Sequence, residues 1–332
     1  MSGKLVDSFG RVHDYLRISI TDRCNLRCMY CMPPKGTSFL PDQSLLTNEE
    51  IVKVVRVMAK MGISRVRLTG GEPLLRPDVE SLVASLASIP TIRDISMTSN
   101  GLLLAKKAQK LKEAGLKRVN ISLDSLKPER YSMITRGGDI QRVLNSIDEC
   151  QRIGISPIKV NVVLIDGVNH DEIADFLRLS ITLPIHVRFI EYMPIGSLKP
   201  WKNGFLPLDQ VIQTCHMHDW NARPVQAENA NGPARYYKID GAKGQFGLIH
   251  AVSNHFCHSC NRLRLTSDGY LKGCLFWNDE SYIRKWIDSE TDMIEMIHRV
   301  LNQKPESHEM SKAYMLTHED SMTVRSMSQI GG

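Results

Sequence analysis

No stretch of this 332-residue chain approaches the roughly 18 continuous apolar residues that cross a bilayer. The opening run MSGKLVDSFGRVHDYL has no apolar core of the kind a secretory signal carries. Aromatic residues make up only 6%, so platforms for stacked bases are scarce, and there is no long Lys/Arg run. The net charge of +6 is therefore a weak argument for nucleic acid, though it suits a phosphate-bearing small molecule. Neither a Walker A loop nor a G-x-G-x-x-G turn is present. These absences predict a cytoplasmic chain with no membrane and no nucleic-acid partner. What remains is ordinary for a globular protein: 42% hydrophobic, 23% charged, and long enough for two domains with a large core.

Six of the eight cysteines fall into two tight groups. Cys24, Cys28 and Cys31 are spaced C-x3-C-x2-C. Three is the wrong number for structural zinc, and no histidine lies closer than His13 to complete a tetrahedron. A cubane iron–sulfur cluster is normally held by four thiolates. Three thiolates leave one iron open to a small ligand and imply one-electron chemistry on it. The plainer reading, three cysteines packed together by chance, fits poorly, because grouped free thiols usually serve metal binding or reactivity. Cys257, Cys260 and Cys274 form a second trio, spaced C-x2-C-x13-C. Here His255 or His258 could complete a zinc site, so spacing leaves zinc and an iron–sulfur cluster both open. Cys150 and Cys215 stand alone and read as inert core residues.

From residue 15 to about 191, short apolar runs alternate with helix-period segments. The strands predicted are Tyr15–Ile20, Arg65–Thr69, Asp94–Thr98, Arg118–Ser122, Ile158–Leu164 and His186–Glu191. Such βα alternation predicts a parallel sheet. The fold expected is a partial, laterally open (βα)6 TIM-type barrel, with a smaller C-terminal α+β domain closing the opening. The Pro/Gly-rich run after residue 193 predicts boundaries at 1–193, 194–302 and 303–332. The third part reads as a mobile tail ending in Gly331-Gly332. A hairpin is predicted over Asn261–Cys274, turning at Asp268-Gly269, and a helix near Glu280–Leu301. Polar and glycine residues collect just after strand ends: Gly70-Gly71-Glu72-Pro73, Thr98 to Asn100, Ser122 and Asp124, and Glu191. In a parallel barrel these share one rim, the face where ligands bind.

Cations recur on the strands as Arg17, Arg65, Arg67, Lys159 and Arg188. One such side chain can snorkel outward. Several alternating with apolar neighbours predict a lumen built for a strongly charged anion such as a triphosphate. Arg262 and Arg264 flank Leu263 on a predicted strand, so both guanidinium groups share a face and can clamp an anion. His298 and His308 read as surface or structural residues.

LRISITDRCNLRCMYCMP, RLTGGEPLLR, the second trio with NRLRLTSDG, and the Gly331-Gly332 end together resemble the radical S-adenosylmethionine superfamily. Within it the chain is similar to the GTP 3′,8-cyclases of molybdenum cofactor biosynthesis. The resemblance implies a [4Fe–4S] cluster on Cys24, Cys28 and Cys31, chelated by S-adenosylmethionine. It implies a second [4Fe–4S] cluster on Cys257, Cys260 and Cys274, facing the GTP base. Tyr30, Gly70, Gly71, Glu72, Ser122 and Met193 would hold the S-adenosylmethionine. Arg17, Arg67, Thr98, Lys159, Arg188, Arg262, Leu263 and Arg264 would hold GTP. Gly331 and Gly332, with Arg262 and Arg264, would assist the radical step. The reaction implied is removal of the GTP 3′ hydrogen and closure onto C8. An electron donor, a homodimer and a downstream cyclic pyranopterin monophosphate synthase are also implied. Arg65 stands where the family often carries Lys and receives no role. The rivals are a peptide-modifying radical enzyme with an auxiliary cluster and a zinc-stabilised nucleic-acid-binding module.

Overall fold

A computed structural model describes residues 4–193, 195, 201–226, 232–309 and 323–331. It opens on a small hairpin, β1 (Leu5–Val6) and β2 (Val12–His13), that sequence periodicity did not signal. The βα series then runs β3 (Tyr15–Ser19), α1 (Asn48–Lys60), β4 (Arg65–Thr69), α2 (Val79–Ala87), β5 (Asp94–Ser99), α3 (Leu104–Glu113) and β6 (Arg118–Ser122). It continues through α4 (Pro128–Thr135), α5 (Ile140–Arg152), β7 (Ile158–Leu164), α6 (Ile173–Thr182) and β8 (His186–Glu191). The strand positions expected from the apolar runs are matched to within a residue. Helix α1 starts where its chemistry dictates. Thr47 accepts from the Glu50 N–H while Glu50 reaches back to Thr47, a reciprocal cap. Its stripe of Ile51, Val54, Val55 and Met58 packs onto the sheet.

After β8 come α7 (Asp209–Met217), β9 (Ala222–Val225), β10 (Arg235–Ile239), β11 (Gln245–Ile249), β12 (Arg262–Leu265), β13 (Tyr270–Lys272), β14 (Ser281–Tyr282), α8 (Glu290–Asn302) and the short α9 (Met327–Ile330). These later strands graft onto both edges of the first sheet. The order is β14-β13-β12-β3-β4-β5-β6-β7-β8-β11-β10-β9, twelve strands in one sheet. β12 lies parallel to β3 and β11 parallel to β8, so the parallel run extends beyond the expected units at each side. No pairing joins β11 to β12 among the described residues, and the barrel stays laterally open.

Two expectations need correction. The helix expected near Glu280–Leu301 begins only at Glu290, where Ser289 caps the Asp292 N–H. The preceding residues are spent on β14, whose Tyr282 packs against Tyr270 at 4.8 Å between ring centres. The end of the chain is not loose over 323–331. Thr323, Ser328 and Ile330 are buried, and Ile330 joins a small core with Ile195, Val252 and Phe276. Gly332 lies outside the described residues. No helix among the described residues is long and apolar enough to cross a membrane.

Candidate active site

Parallel register explains why the cations meet. Arg264 pairs with Arg17, Arg17 with Arg67, Arg67 with Ser96, and Ser96 with Arg118, on successive strands. Side chains in register on neighbouring strands share a face. The row therefore points into one cavity of about 770 Å³, together with Lys159, Arg188 and Arg262. Neutral partners orient two of these groups. Arg67 donates to the Ser96 hydroxyl at 3.1 Å, and Arg188 donates through Nε to Asn161 Oδ1 at 2.9 Å. Lys159 sits over the Tyr236 ring at 5.6 Å and Arg262 over Phe256 at 4.7 Å.

So much like charge in a dry space is costly without an anion. Burial first, then Arg188, Arg118 and Arg67, pushes Lys159 down to about 6. Burial, with Arg262 adding to it, lowers Arg264 to about 10, and burial lowers Arg67 to about 10 as well. Among the described residues the carboxylates lining the chamber are Asp14, Asp94 and Glu306, and Asp14 and Asp94 are paired with Arg65 and Arg118. The chamber is thus charged for an anionic ligand.

The second trio lines this chamber through Cys257, Cys260 and Cys274. The β12–β13 hairpin carries Cys260 and Cys274 to its two ends, as expected. Lys304, missed in the sequence because it is isolated in a polar stretch, is buried behind them. Its ammonium donates to the Arg262 and Gly273 carbonyls at 2.9 and 2.5 Å and lies 3.6 Å from Cys260 Sγ. Burial opposes ionisation of Cys260, but Arg262 and Lys304 outweigh it and bring the thiol down to about 6. The N-terminal hairpin braces the same loop. Arg11, held by Asp7 at 2.6 Å, donates to the Cys257 carbonyl at 2.9 Å. His308, given no role from sequence, packs against His255 at 4.8 Å next to Cys257.

The first trio stands at the C-terminal rim, after β3. All eight cysteines are free thiols. Burial pushes Cys24 up to about 11 and Cys31 up to about 12, and raises Cys28 strongly. Such thiols ionise only when a cation compensates them, which suits a metal-bearing ligand. Among the described residues no group of three or more His, Cys, Asp or Glu is arranged to hold a single metal ion.

Gly70 and Gly71 let the loop 70–73 lie flat on the cysteine loop. Gly71 N–H donates to the Thr21 carbonyl at 2.8 Å and Glu72 N–H to the Arg23 carbonyl at 2.7 Å. A Cβ at either glycine would strike backbone atoms of residues 21–23. Glu72 is fully buried and accepts from Leu74 N, Ser99 Oγ and Asn100 N at 3.0, 2.9 and 2.7 Å. Burial raises its carboxyl to about 7 despite these donors. Tyr30 donates to Asp124 at 2.7 Å, and burial raises Asp124 to about 6.

Not every residue singled out from sequence reaches the chamber. Met193 lines it, and Tyr30, Gly70, Gly71, Glu72 and Ser122 do not. Strand alternation turns the Leu263 side chain away from Arg262 and Arg264 and into the core, where it is wholly buried. Thr98 does not line the cavity and instead accepts from Asn120 Nδ2 at 3.4 Å. Glu191 is spent on structure, accepting from Val252 and Ser253 N–H at 2.7 and 2.9 Å. Tyr15 was missed. It lines the chamber with Arg65 and Arg67 each 5.5 Å from its ring, and its buried hydroxyl has no hydrogen-bond partner among the described residues. Its pattern on β3 was that of any apolar strand residue.

An open parallel α/β sheet with a three-thiol loop after its first long strand defines the radical S-adenosylmethionine class. Residues 18–180 match the Radical SAM superfamily, and residues 185–310 match Molybdenum Cofactor Synthesis C. The chain is 53% identical over 330 residues to a GTP 3′,8-cyclase of Listeria monocytogenes, covering 99% of each. It is 49% identical over 331 residues to that of Lactiplantibacillus plantarum, again covering 99% of each. The chain therefore belongs to the GTP 3′,8-cyclase family and is an enzyme of the radical class. Membership supports S-adenosylmethionine and an iron–sulfur cluster as cofactors. The fold also resembles SuiB of Streptococcus suis bound to a precursor peptide, with a TM-score of 0.61 and 14% identity, covering 94% of this chain and 70% of that one.

Proposed function

We propose that this chain converts GTP to 3′,8-cyclo-7,8-dihydro-GTP, the first step of molybdenum cofactor biosynthesis. Cys24, Cys28 and Cys31 would hold one [4Fe–4S] cluster, and Cys257, Cys260 and Cys274 a second. Bound at the first trio, the cluster and S-adenosylmethionine supply one-electron cleavage and a carbon radical able to take the 3′ hydrogen of GTP.

The chain's own residues do the positioning. Glu72, held by its donors, offers a buried carboxylate to the cofactor's ammonium, which a charged partner would return to its ionised form. Tyr30, Gly70, Gly71, Ser122 and Met193 would complete that contact surface, the glycines by letting it approach the backbone. Arg17, Arg67, Lys159, Arg188, Arg262 and Arg264 would spread the triphosphate charge, and Thr98 and Leu263 would add contacts to GTP. Loading the anion restores full charge to Lys159. Cys260, ionised near neutral pH, prepares the second trio to take a metal. The packed tail keeps water from the space between the trios. An external electron donor would feed the first trio.

The observation that carries this reading is the row Arg264–Arg17–Arg67 opening onto the second trio. Anaerobic incubation with GTP, S-adenosylmethionine and dithionite tests it. The expected result is 5′-deoxyadenosine together with the cyclised nucleotide, from protein carrying about eight irons. Zinc without labile sulfide, or deoxyadenosine with no cyclised product, would overturn it.

A further inference from the structure

The last described segment, 323–331, crosses from one trio to the other. Ile330 packs in the small core that Cys274 borders, and the Ser328 backbone beside Cys31 works against the rise that burial imposes on that thiol. Ser19 Oγ donates to the Ser328 carbonyl at 3.3 Å. Arg264 donates to the Gly331 carbonyl at 2.6 Å. Gly331 adopts φ 69° against Thr69, where a Cβ would collide with the Thr69 hydroxyl. Met327 lines the chamber. The strap thus separates the chamber from the rim that carries the first trio, and the reaction needs its end to be placed reproducibly.

Its root is held by the Thr323 N–H on the Phe276 carbonyl at 2.8 Å and by one side chain. Arg325 donates through Nε and Nη2 to Glu280, both at 2.7 Å, and through Nη1 to Asp268 Oδ2 at 3.0 Å. The guanidinium lies over the Tyr270 ring at 4.7 Å. Arg325, Asp268 and Glu280 are mostly buried. Lys272, fully buried, donates at 3.3 Å to Glu280 Oε2, the oxygen that also accepts from Arg325 Nε. Two carboxylates are matched by two cations, and a planar fork is used in full. Every partner belongs to the β12–β13 hairpin or its return to β14. That hairpin also carries Arg262, Arg264 and Cys274.

We propose that Arg325 is the positioning residue that latches the C-terminal strap onto the hairpin bearing the second trio and the anion clamp. The latch keeps the strap root fixed while the terminal glycines serve the site. Its consequence for turnover rests on the cyclase reading above, but the latch itself rests on geometry and is tested without substrate.

The test is hydrogen exchange on the full-length, metal-loaded protein as wild type, Arg325→Ala and Arg325→Lys. In Arg325→Ala the amides of 326–331 should lose at least tenfold in protection, while β3 to β8 and β12–β13 keep theirs. Arg325→Lys, with charge but no fork, should fall between. Millimolar methylguanidinium should restore protection to Arg325→Ala and leave wild type unmoved, which no general loosening would produce. Turnover should then show 5′-deoxyadenosine released in excess over cyclised product in Arg325→Ala, closing to parity with methylguanidinium. Undiminished strap protection in Arg325→Ala overturns the latch. Equal loss across β12–β13 overturns it too, since Arg325 would then be a packing element. Wild type that fails to cyclise GTP, with exchange behaving as stated, would sink the cyclase reading and leave the latch standing.

Discussion

Gly71→Ala isolates the contact between the GGEP turn and the first cysteine loop. The φ of Gly71 is not in the left-handed region, so alanine costs nothing in backbone conformation there. The whole effect is steric. The new methyl would overlap the Arg23 carbonyl group and crowd the Asp22 oxygen. Both are backbone atoms, and Arg23 O already accepts from Glu72 N–H, so neither can swing aside as a side chain would. Relief requires moving residues 22–24, and Cys24 moves with them. Overpacking of this kind costs about 1–3 kcal/mol. A displacement of about 1 Å at a reacting centre costs on the order of a hundredfold in rate. The expected outcome is a roughly hundredfold slower release of 5′-deoxyadenosine, measured by chromatography under anaerobic conditions. Iron bound at the second trio should be unchanged, because that loop lies at the opposite end of the strands. Wild-type cleavage by Gly71→Ala would refute the proposed seat of the first cysteine loop.

Arg262→Ala should weaken GTP binding by about tenfold or more, the loss of one charge-assisted contact, and unchanged affinity in equilibrium dialysis would count against the clamp. Adding Arg264→Ala should do more than deepen that loss, since Arg264 also holds the Gly331 carbonyl; strap protection should fall as well, and its persistence would show that Arg264 serves the anion alone. Glu72→Gln should weaken S-adenosylmethionine binding by about tenfold or more. Because burial raises Glu72 to about 7, wild-type affinity should also fall as pH drops below that value, and a flat calorimetric profile from pH 8 to 6 would contradict the carboxylate–ammonium pairing. His13 is held neutral, its pKa brought from 6.5 to about 4 by burial and then by Lys304, against the pull of Asp7. The unfolded chain takes up that proton first, so this stability is whole above pH 6.5 and drains away as pH falls toward 4. Burial brings His186 and His308 to about 4 as well, so His13 accounts for about 2–3 kcal/mol of the loss in urea melts over that window, and His13→Gln should remove that share.

The sequence was most readable where one physical rule acts alone. Apolar β-branched runs forced β3 to β8, and the Thr47–Glu50 pair forced the start of α1. Thiol grouping exposed both trios, since nothing in core packing asks for C-x3-C-x2-C. Alternation on β12 turned Arg262 and Arg264 to one face, and the same rule turns the Leu263 side chain to the other. What stayed hidden depended on distant pairing. Tyr15 is an ordinary strand residue until β4 and β12 bring arginines beside it. Lys304 and Arg11 are scattered charges until the sheet edge folds over them. The strap looked featureless because its order comes from Arg325 meeting Asp268 and Glu280, residues about fifty positions earlier in the chain.

That last pairing also bears on why the C-terminal strands join the edges of the sheet rather than forming a separate layer. β12 must lie in register with β3 for Arg264 to stand beside Arg17, and β13 must return antiparallel for Gly273 to meet Lys304. A hairpin placed one residue out of register would turn both arginines into the core, where Leu263 now sits. The same slip would carry Cys274 away from Cys260 and Asp268 away from Arg325. One register therefore fixes anion clamp, second trio and strap latch together. A variant that shifts it, such as one residue inserted within β12 between Arg262 and Leu263, should lose GTP binding, metal at the second trio and strap protection at once, while the first trio still assembles. Loss of only one of the three would show that the hairpin does not hold them as a unit.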